Sequence, residues 1–330
     1  MQEHKRGLMA LVRSAMALLA MAAALPGVAL AQDAFPDRPV KIVVGFPAGS
    51  STDVASRALA ESLGQSLGQQ VVVENRPGAS SNIGARGVAS TAPDGYTLFV
   101  GTIANTISVT LQPATSVDIS REFVPIAMLG RVPNLLVVHP SLGVGSVEQL
   151  IAKARAKPAG ITYASSGNGT SPHLSGELFA SMAGVKLLHV PYKGSSPAVV
   201  DLIAGQVHMM FAPASTALPH IRDGKLKALA STGLERAESL PDLPTIDELG
   251  MKGFETSVWF GLNAPQGTPA SVIERLRAAV AAAQDHAELK RRFQAQGIEV
   301  VRAGPREYGV WIGSETEKWA GVRRSAGIQP

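Results

Sequence analysis

The sequence predicts an α/β protein built from two lobes. Short runs rich in β-branched residues alternate with segments that carry an apolar stripe at helical spacing, which is typical of strands joined by crossover helices. This alternation restarts after Pro133 and so indicates a second lobe of the same kind. At 330 residues, the chain is also longer than the roughly 250–300 residues at which single cores stop growing.

The first lobe is predicted to begin with a buried strand at residues 40–45. A helix follows, opened by the Ser-Thr-Asp sequence at residues 51–53 and carrying apolar residues on one face. Two more buried strands are predicted at residues 71–74 and 97–101. Because helices separate consecutive strands, we expect a parallel sheet with helices on both faces.

The second lobe repeats this pattern with strands and helices of similar length. Its segments again alternate between β-branched runs and amphipathic stretches, so we expect the same layered arrangement. The predicted strands are residues 135–138, 161–164, 187–190 and 207–211, and the predicted helices are residues 146–156, 172–183 and 197–204.

The last part of the chain has long helices but few strands. The predicted elements are a strand at residues 258–263, helices at 270–284 and 287–296, a strand at 298–301, and a closing helix from Pro305. Because this segment has so few strands, we expect it to complete the first lobe and not to form a third domain. The predicted domains are therefore residues 32–131 with 256–330, and residues 132–255, joined by two crossings that form a hinge.

The first 31 residues have the composition of a secretory signal peptide. Lys5, Arg6 and Arg13 precede an apolar run at residues 15–25, which is too short to span a membrane, and cleavage is expected after Ala31. The chain contains no cysteine, which excludes disulfides and a lipid-modified N-terminal cysteine. These features predict a soluble periplasmic protein.

The charge and aromatic content disfavour nucleic acid as a partner. Removal of residues 1–31 takes away three basic side chains and one acidic one, which lowers the formal net charge from +4 to +2. Such a surface cannot supply the roughly six to ten phosphate contacts of a DNA-binding face. An aromatic content of 5% is also low for the stacking that single strands require.

Three loops of small polar residues each follow a predicted strand and precede a helix, at residues 45–53, 75–82 and 165–173. Backbone N–H groups at helix N-termini attract anions, and loops at the carboxyl ends of strands converge on one crevice. The first loop lacks the Gly-Lys-Ser/Thr ending of a nucleotide-binding loop, so a small carboxylate fits better than a triphosphate. Ordinary turns and helix caps are the alternative explanation for each loop.

The sequence offers little for catalysis or metal binding. Ser166 and His173 are a candidate nucleophile and base, but a nucleophile elbow requires glycine two residues before the serine, where this chain has Ala164. The histidines show no metal-binding spacing, and Asp247-Glu248 fits a helix cap with solvated charge. We therefore predict no catalytic residue, no metal and no cofactor.

A series of short motifs runs through the chain in a fixed order. In sequence they are Phe46-Pro47-Ala48-Gly49 with Asp53 and Arg57, Glu74-Asn75-Arg76-Pro77-Gly78-Ala79 with Ile83-Gly84-Ala85, Asp94-Gly95-Tyr96, Ser166-Gly167-Asn168-Gly169-Thr170 with His173-Leu174, Val190-Pro191-Tyr192-Lys193-Gly194, Leu240-Pro241 to Pro244-Thr245, Trp259, and Ala264-Pro265 with Gly267-Thr268-Pro269. Together they resemble the Bug receptors, the periplasmic solute-binding proteins of tripartite tricarboxylate transporters. The resemblance spans nearly the whole chain after residue 31.

The resemblance implies a Venus flytrap, the type II-like two-domain fold of periplasmic binding proteins, with the ligand in the cleft between domains. It also implies a carboxylate held mainly by backbone N–H groups, small hydroxyls and ordered water. The ligand-binding residues it implies in this chain are Phe46, Ala48, Gly49, Ser50, Ser51, Thr52, Asp53, Ser80, Ser81, Asn82, Ser166, Gly167, Asn168, Gly169, Thr170 and Tyr192.

The chain departs from the family pattern at a few positions. The family more often has Gly-Gly where this chain has Ser50-Ser51 and Ser80-Ser81, and usually has Asp at the position of His208. The added hydroxyls lie at the first-lobe site, so they bear on ligand choice. We expect His208 to affect the lobe surface or the start of a strand instead.

The resulting hypothesis is a monomeric, non-enzymatic receptor that captures a small organic acid and presents it to integral membrane subunits of a transporter. One alternative is a periplasmic serine esterase or amidase that uses Ser166 and His173. Another is the ligand-binding subunit of a sensor system. Dicarboxylates, tricarboxylates, aromatic acids and amino acids all fit a cleft specified mainly by backbone, so the ligand stays open.

Overall fold

The computed structural model describes residues 35–325, so the signal peptide predicted for residues 1–31 lies outside the described residues. In chain order the strands are β1 Val40–Val44, β2 Val71–Asn75, β3 Thr97–Thr102, β4 Phe123–Val138, β5 Thr162–Ser165, β6 Leu188–Pro191, β7 Met209–Pro213, β8 Lys227–Ser231, β9 Ser257–Pro265 and β10 Glu299–Ala303. They form a ten-stranded sheet in the order β2-β1-β3-β9-β4-β7-β5-β6, and β8 and β10 also pair with β4.

Helices connect most of the strands. They are α1 Ser51–Leu67, α2 Asn82–Ala89, α3 Ile103–Leu111, α4 Ile119–Glu122, α5 Val147–Ala156, α6 Ser171–Ala183, α7 Ser195–Ile203, α8 Ala214–Arg222, α9 Ala270–Asp285, α10 Ala287–Ala295 and α11 Pro305–Ser325, with short 3₁₀ turns at Ala79–Ser81 and Pro140–Leu142. Between residues 35 and 325, none of the helices is long and apolar enough to cross a bilayer.

The β1–α1 connection shows how the sequence sets the start of a helix. Ser50 Oγ accepts a hydrogen bond from Asp53 N–H (3.3 Å) and so caps α1, and Gly68 ends the helix in the left-handed conformation (φ 73°). The apolar stripe of α1 is buried, with Leu59 and Leu63 both at 0% exposure. The polar loop before α1 is therefore anchored at the carboxyl end of β1.

Strands β4 and β9 join the two halves of the sheet. Through Pro133, β4 pairs with β9, whereas from Asn134 onward it pairs with β7 and then also with β8. We call the part built on β1, β2, β3, β9 and β10 the first half, and the part built on β5 to β8 the second half. The change of partner lies beside the predicted boundary at residues 131 and 132, and the two-domain division itself stays a prediction.

The sheet is mixed, so the expectation of purely parallel lobes was wrong. Strands β1, β2 and β3 are parallel, as are β5, β6 and β7, but β9 is antiparallel to β3 and β4, and β4 is antiparallel to β7. Strands buried on both faces are continuously apolar whichever way they run. Periodicity therefore located these strands without revealing their direction.

Some elements are absent from the sequence prediction. Strand β4 begins at Phe123 and not at residue 135, because Pro125 and Gly130, which read as strand breakers, lie at register shifts against β9. Helices α3 and α8 and strand β8 were also not predicted. The α3 sequence is rich in β-branched residues, and α8 carries Pro219 in its interior, so neither matches a typical helix.

Candidate functional site

Within the described residues, four helices begin around one small cavity. Helix α1 follows Ser50, α3 follows Thr102, α6 follows Thr170 and α7 follows Gly194. The first backbone N–H groups of a helix have no carbonyl partner within the helix, and each N-terminus is the positive end of a helix dipole, so together these four N-termini favour an anion. The cavity is lined by Phe46, Ser50, Ser51, Thr52, Thr102, Ile103, Ala104, Ser166, Thr170, Ser171, Pro172, Ser195, Pro213 and Val258.

The cavity is neutral and narrow. Of the described residues that line it, none is Lys, Arg, His, Asp or Glu, and eight carry a hydroxyl group. Its volume is only about 20 Å³, which is close to the minimum for one water molecule. The walls must therefore separate before an organic acid can enter.

Asp53 organises the first loop from behind the cavity. Its carboxylate accepts hydrogen bonds from Gly49 N–H (2.9 Å), Asn75 Nδ2 (2.8 Å) and Arg57 Nε (3.0 Å). Burial would raise the pKa of Asp53, but these bonds outweigh burial and hold the pKa below its ordinary value of 3.8. Asn75 Nδ2 also donates to Phe46 O (3.0 Å), which ties the loop to β2. The ion pair with Arg57 compensates the negative charge of Asp53.

The second loop holds a strained backbone. Ala79, Ser80 and Ser81 have φ angles of 46°, 51° and 79°, in the left-handed region that non-glycine residues rarely adopt. Ser80 Oγ donates to Asn168 O (2.5 Å), which belongs to the third loop in the other half of the sheet. Ser81 Oγ is buried against Gly45 with no hydrogen-bond partner among the described residues. The strained conformation thus directs Ser80 across the cleft.

The third loop is closed by hydrogen bonds of its own. Thr170 Oγ1 donates to Gly167 O (2.7 Å), and Ser165 Oγ accepts a hydrogen bond from Gly167 N–H (3.1 Å). Gly167 and Gly169 have φ angles of 124° and 73°, which a side chain would strain. This geometry places Ser166 and Thr170 in the cavity wall.

The proposed nucleophile and base do not meet. In the described part of the chain, Ser166 and His173 share no hydrogen bond; His173 Nδ1 instead accepts one from Gly169 N–H (3.2 Å). Ser165 in the same loop does contact an imidazole, since its Oγ lies 2.6 Å from His189 Nε2, but Ser165 is 0% exposed. A substrate cannot reach that serine, so the geometry gives no support to a serine hydrolase.

Tyr192 contributes its backbone to the site and not its hydroxyl. The hydroxyl donates to Asp201 Oδ2 (2.7 Å), and burial together with this contact raises the pKa of Tyr192 to about 12. Its backbone N–H donates to Ser165 O (3.1 Å), and its carbonyl oxygen lies 3.1 Å from the position that a Cβ atom on Gly167 would take, which is a tight contact. Tyr192 therefore supports the third loop from below.

Comparison with known proteins identifies the family of this protein. Residues 55–328 match the family model described as the tripartite tricarboxylate transporter family receptor. The chain belongs to this receptor family. Protein BugT of Bordetella pertussis is 39% identical over 318 residues, which cover 95% of this chain and 98% of that protein.

Solved structures of related receptors share the fold. The periplasmic binding protein BugD is 35% identical with a TM-score of 0.86, over 89% of this chain and 99% of that chain. R. palustris Rpa4515 with adipate is 38% identical with a TM-score of 0.87, over 90% and 99%. MatC from Rhodopseudomonas palustris with bound malate is 32% identical with a TM-score of 0.83, over 87% and 99%. The family resemblance and the α/β periplasmic-binding-protein fold inferred from sequence are confirmed.

Some of the ligand-binding residues predicted from sequence line the receptor's cavity, and the others lie next to it. Asn82, for example, holds the second loop by donating from Nδ2 to Ala79 O (2.8 Å) and accepting from Val117 N–H (2.8 Å). Direct ligand contact by any of these residues stays a prediction. The predicted residues in the wall are Phe46, Ser50, Ser51, Thr52, Ser166 and Thr170, and those outside it are Ala48, Gly49, Asp53, Ser80, Ser81, Asn82, Gly167, Asn168, Gly169 and Tyr192.

Sequence reasoning missed wall residues that come from other elements. One signal was available at Thr102, which follows a predicted strand and forms a capping box with Asn105 at the start of α3. Another was Gly194, which precedes Ser195 and a proline at the start of α7. The missed residues are Thr102, Ile103, Ala104, Ser195, Pro213 and Val258, whereas Ser171 and Pro172 belong to the loop predicted at residues 165–173.

A larger groove lies on the opposite face of the strands that join the halves. It has a volume of about 700 Å³ and is lined by Pro133, Ser257 and the loop at residues 233–239. Pro133 pairs with Ser257 across β4 and β9, so the two share a face, whereas the next residue, Val258, points to the small cavity. The β4–β9 ribbon therefore separates the groove from the cavity.

Proposed function

We propose that this receptor binds a small organic carboxylate in the cavity between the two halves and passes it to the membrane subunits of a transporter. The observation that carries the proposal is the convergence of four helix N-termini on one cavity whose described wall bears hydroxyls and no charged side chain. The structures of relatives with adipate and malate support the ligand class. The receptor family supports the delivery step and a periplasmic location.

Neutral donors suffice to hold such a ligand. A hydrogen bond to a charged group contributes on the order of 1.5–3 kcal/mol, so about four to six of them can offset the cost of association. Micromolar binding needs only about −8 kcal/mol. An arginine clamp is therefore not required, and the carboxylate charge is balanced by helix dipoles.

We further propose that the predicted domains, residues 32–131 with 256–330 and residues 132–255, close around the ligand at the β4–β9 ribbon. Several described contacts between the halves lie beside the cavity, three of which involve the first, second and third loops or the start of α7. Ser80 Oγ bonds to Asn168 O, Ser196 Oγ donates to Ala48 O (3.3 Å), and Gly194 packs on a proline of the first loop. Contacts made only with the halves together are what a ligand needs in order to favour closure.

A ligand screen by thermal unfolding tests the proposal. The receptor purified from the periplasm of an expression host is refolded from denaturant to remove any ligand carried through purification. Adipate and malate are then compared with their neutral diamides. At one hundred times its dissociation constant, a ligand stabilises by about 2.7 kcal/mol, which corresponds to a melting shift of roughly 5 °C. If adipate and malate shift the melting temperature no more than their diamides do, the proposed binding of small carboxylates is refuted.

A serine in the cavity wall offers a matched pair of variants. Ser166→Ala removes a hydroxyl from the wall, whereas Ser181→Ala removes one from the exposed outer end of α6. We expect Ser166→Ala to raise the dissociation constant of the best acid about tenfold or more, since one charge-assisted bond is lost. Ser181→Ala is expected to bind as the wild type does. Equal affinity of both variants would exclude Ser166 from the binding site.

A further inference from the structure

Two stacked histidine rings lie beneath the third loop of the cavity. The ring centroids of His173, on α6, and His189, on β6, are 4.3 Å apart, and His189 also stacks on the Tyr163 ring at 4.8 Å. The side chain of His173 is only 13% exposed. These histidines do not line the cavity, so the binding proposal leaves them without a role.

Each ring holds a different backbone N–H of the loop. His189 Nε2 lies 2.6 Å from Ser165 Oγ, and that hydroxyl accepts the N–H of Gly167 (3.1 Å) and donates to Gly167 O (3.2 Å). His173 Nδ1 accepts the N–H of Gly169 directly (3.2 Å). The two bonds flank Asn168, whose carbonyl oxygen accepts the bond from Ser80 across the cleft. The shape of the loop therefore depends on both imidazoles.

The geometry also determines the protonation state of His173. A nitrogen that accepts an N–H bond carries no proton, so His173 is neutral with its proton on Nε2. Protonation of Nδ1 would place two hydrogens between the ring and Gly169, and this bond would be lost. The two stacked rings also disfavour each other's charged form, because like charges at this separation repel.

The groups around the pair act in opposite directions. Glu177 Oε1 lies 4.0 Å from His173 Nε2 and favours the protonated ring, but the carboxylate is also engaged by the Tyr163 hydroxyl (2.5 Å). Burial outweighs this attraction and lowers the pKa of His173. Burial, followed by the neighbouring His173, lowers the pKa of His189 to about 3. Both rings therefore resist protonation while the loop is in place.

We infer that His173 and His189 are positioning residues for ligand binding: as neutral rings they hold the loop at residues 166–170, and proton uptake by them releases the loop and weakens binding. The predicted weakening of ligand binding rests on the proposed function, whereas the predicted release of the loop does not. The expected size follows from linkage. If release returns His189 from about 3 to the ordinary value of 6.5, the equilibrium for release becomes roughly 25-fold more favourable between pH 7 and pH 5.

The decisive experiment measures backbone amide exchange of residues 166–170 in the ligand-free receptor, corrected for the intrinsic pH dependence of exchange. In the wild type, protection of the Gly167 and Gly169 amides should fall roughly 25-fold from pH 7 to pH 5. The variants His173→Asn and His189→Gln keep an acceptor near the same nitrogen position but do not titrate. Together they should retain the pH 7 protection and lose the fall at pH 5. His208→Asn, at a partly buried histidine hydrogen-bonded to Thr162, serves as the control and should behave as the wild type.

Binding is then measured with adipate and malate from pH 7 to pH 4. As the pH falls, the dissociation constant should rise more steeply for the wild type and His208→Asn than for the double variant. The double variant lacks both histidines, so its own rise shows how much is caused by protonation of adipate or malate. Protection that is independent of pH in the wild type, or that falls equally in the double variant, would overturn the inference. If neither acid binds any of the proteins while the exchange result holds, the proposed ligand class fails and the loop mechanism stands.

Discussion

Replacement of Asp53 by asparagine separates loop organisation from ligand contact. The carboxylate is buried and accepts hydrogen bonds from Gly49 N–H, Asn75 Nδ2 and Arg57 Nε. Asparagine has the same shape but presents an NH₂ group in place of one oxygen, so at least one of these donors loses its acceptor. One charge-assisted bond is worth on the order of 1.5–3 kcal/mol, and the half-exposed Arg57 adds little because water can solvate it. We therefore expect a loss of about 2–3 kcal/mol, or a melting temperature lower by roughly 4–6 °C.

The same substitution has a defined pH signature. The pKa of Asp53 is lower in the folded protein than its ordinary value of 3.8, so the ionised carboxylate contributes stability above pH 3.8 that is lost as the pH falls below it. Asp53→Asn should therefore be less stable than the wild type at pH 7, and the difference should shrink below pH 4. Urea unfolding at several pH values measures both effects.

A matched control is Glu274→Gln, which breaks a helical ion pair with Arg277 at the protein surface and should leave the unfolding midpoint unchanged. The reasoning is refuted if Asp53→Asn unfolds at the same urea concentration as the wild type at pH 7. It is also refuted if Glu274→Gln is destabilised to the same extent, because then burial of Asp53 would not be the cause.

Three further substitutions test other contacts. Ser80→Ala removes the bond to Asn168 across the cleft, so ligand release measured by stopped flow should be severalfold faster, and an unchanged rate would show that this bond is not made in the loaded form. Gly176→Ala places a methyl group 2.3 Å from the Tyr163 ring, so the melting temperature should fall by several degrees, and a wild-type melting curve would disprove this packing constraint. Leu234→Trp enlarges an exposed side chain in the groove behind the β4–β9 ribbon. If that groove narrows when the cleft opens, the larger side chain opposes opening, and ligand affinity should rise severalfold. Leu234→Ala is the control and should not tighten binding.

Sequence reasoning located the loops well because their signals are local. The first loop, at residues 45–53, combines a strand end, small residues and a helix cap within nine positions, and the structure places that loop in the cavity wall. The third loop likewise carries two glycines that the backbone needs at positive φ. Such features depend on neighbouring residues only, so one sequence is enough to recognise them.

What the sequence could not reveal depends on contacts between distant segments. The capping box at Thr102 gives no indication that α3 faces the third loop, because that placement depends on β3 and β9 pairing across the sheet. The pairing of His173 with Gly169 could be suspected from their spacing, but the stack on His189 joins residues brought together by β5 and β6. Two scattered histidines thus became a pair only in the folded chain.

The chemistry of the wall suggests how one fold can serve relatives with different acids. Backbone N–H groups at helix N-termini are held in place by the sheet, so the proposed carboxylate site depends little on the side chains around it. Side chains such as Ser50 and Ser51 can then change the space and hydroxyls offered to the rest of the ligand. If this is correct, exchanging both serines for glycine will change which acid binds best while a carboxylate remains required. Loss of all carboxylate binding in that variant would mean that the hydroxyls, and not the helix ends, hold the charge.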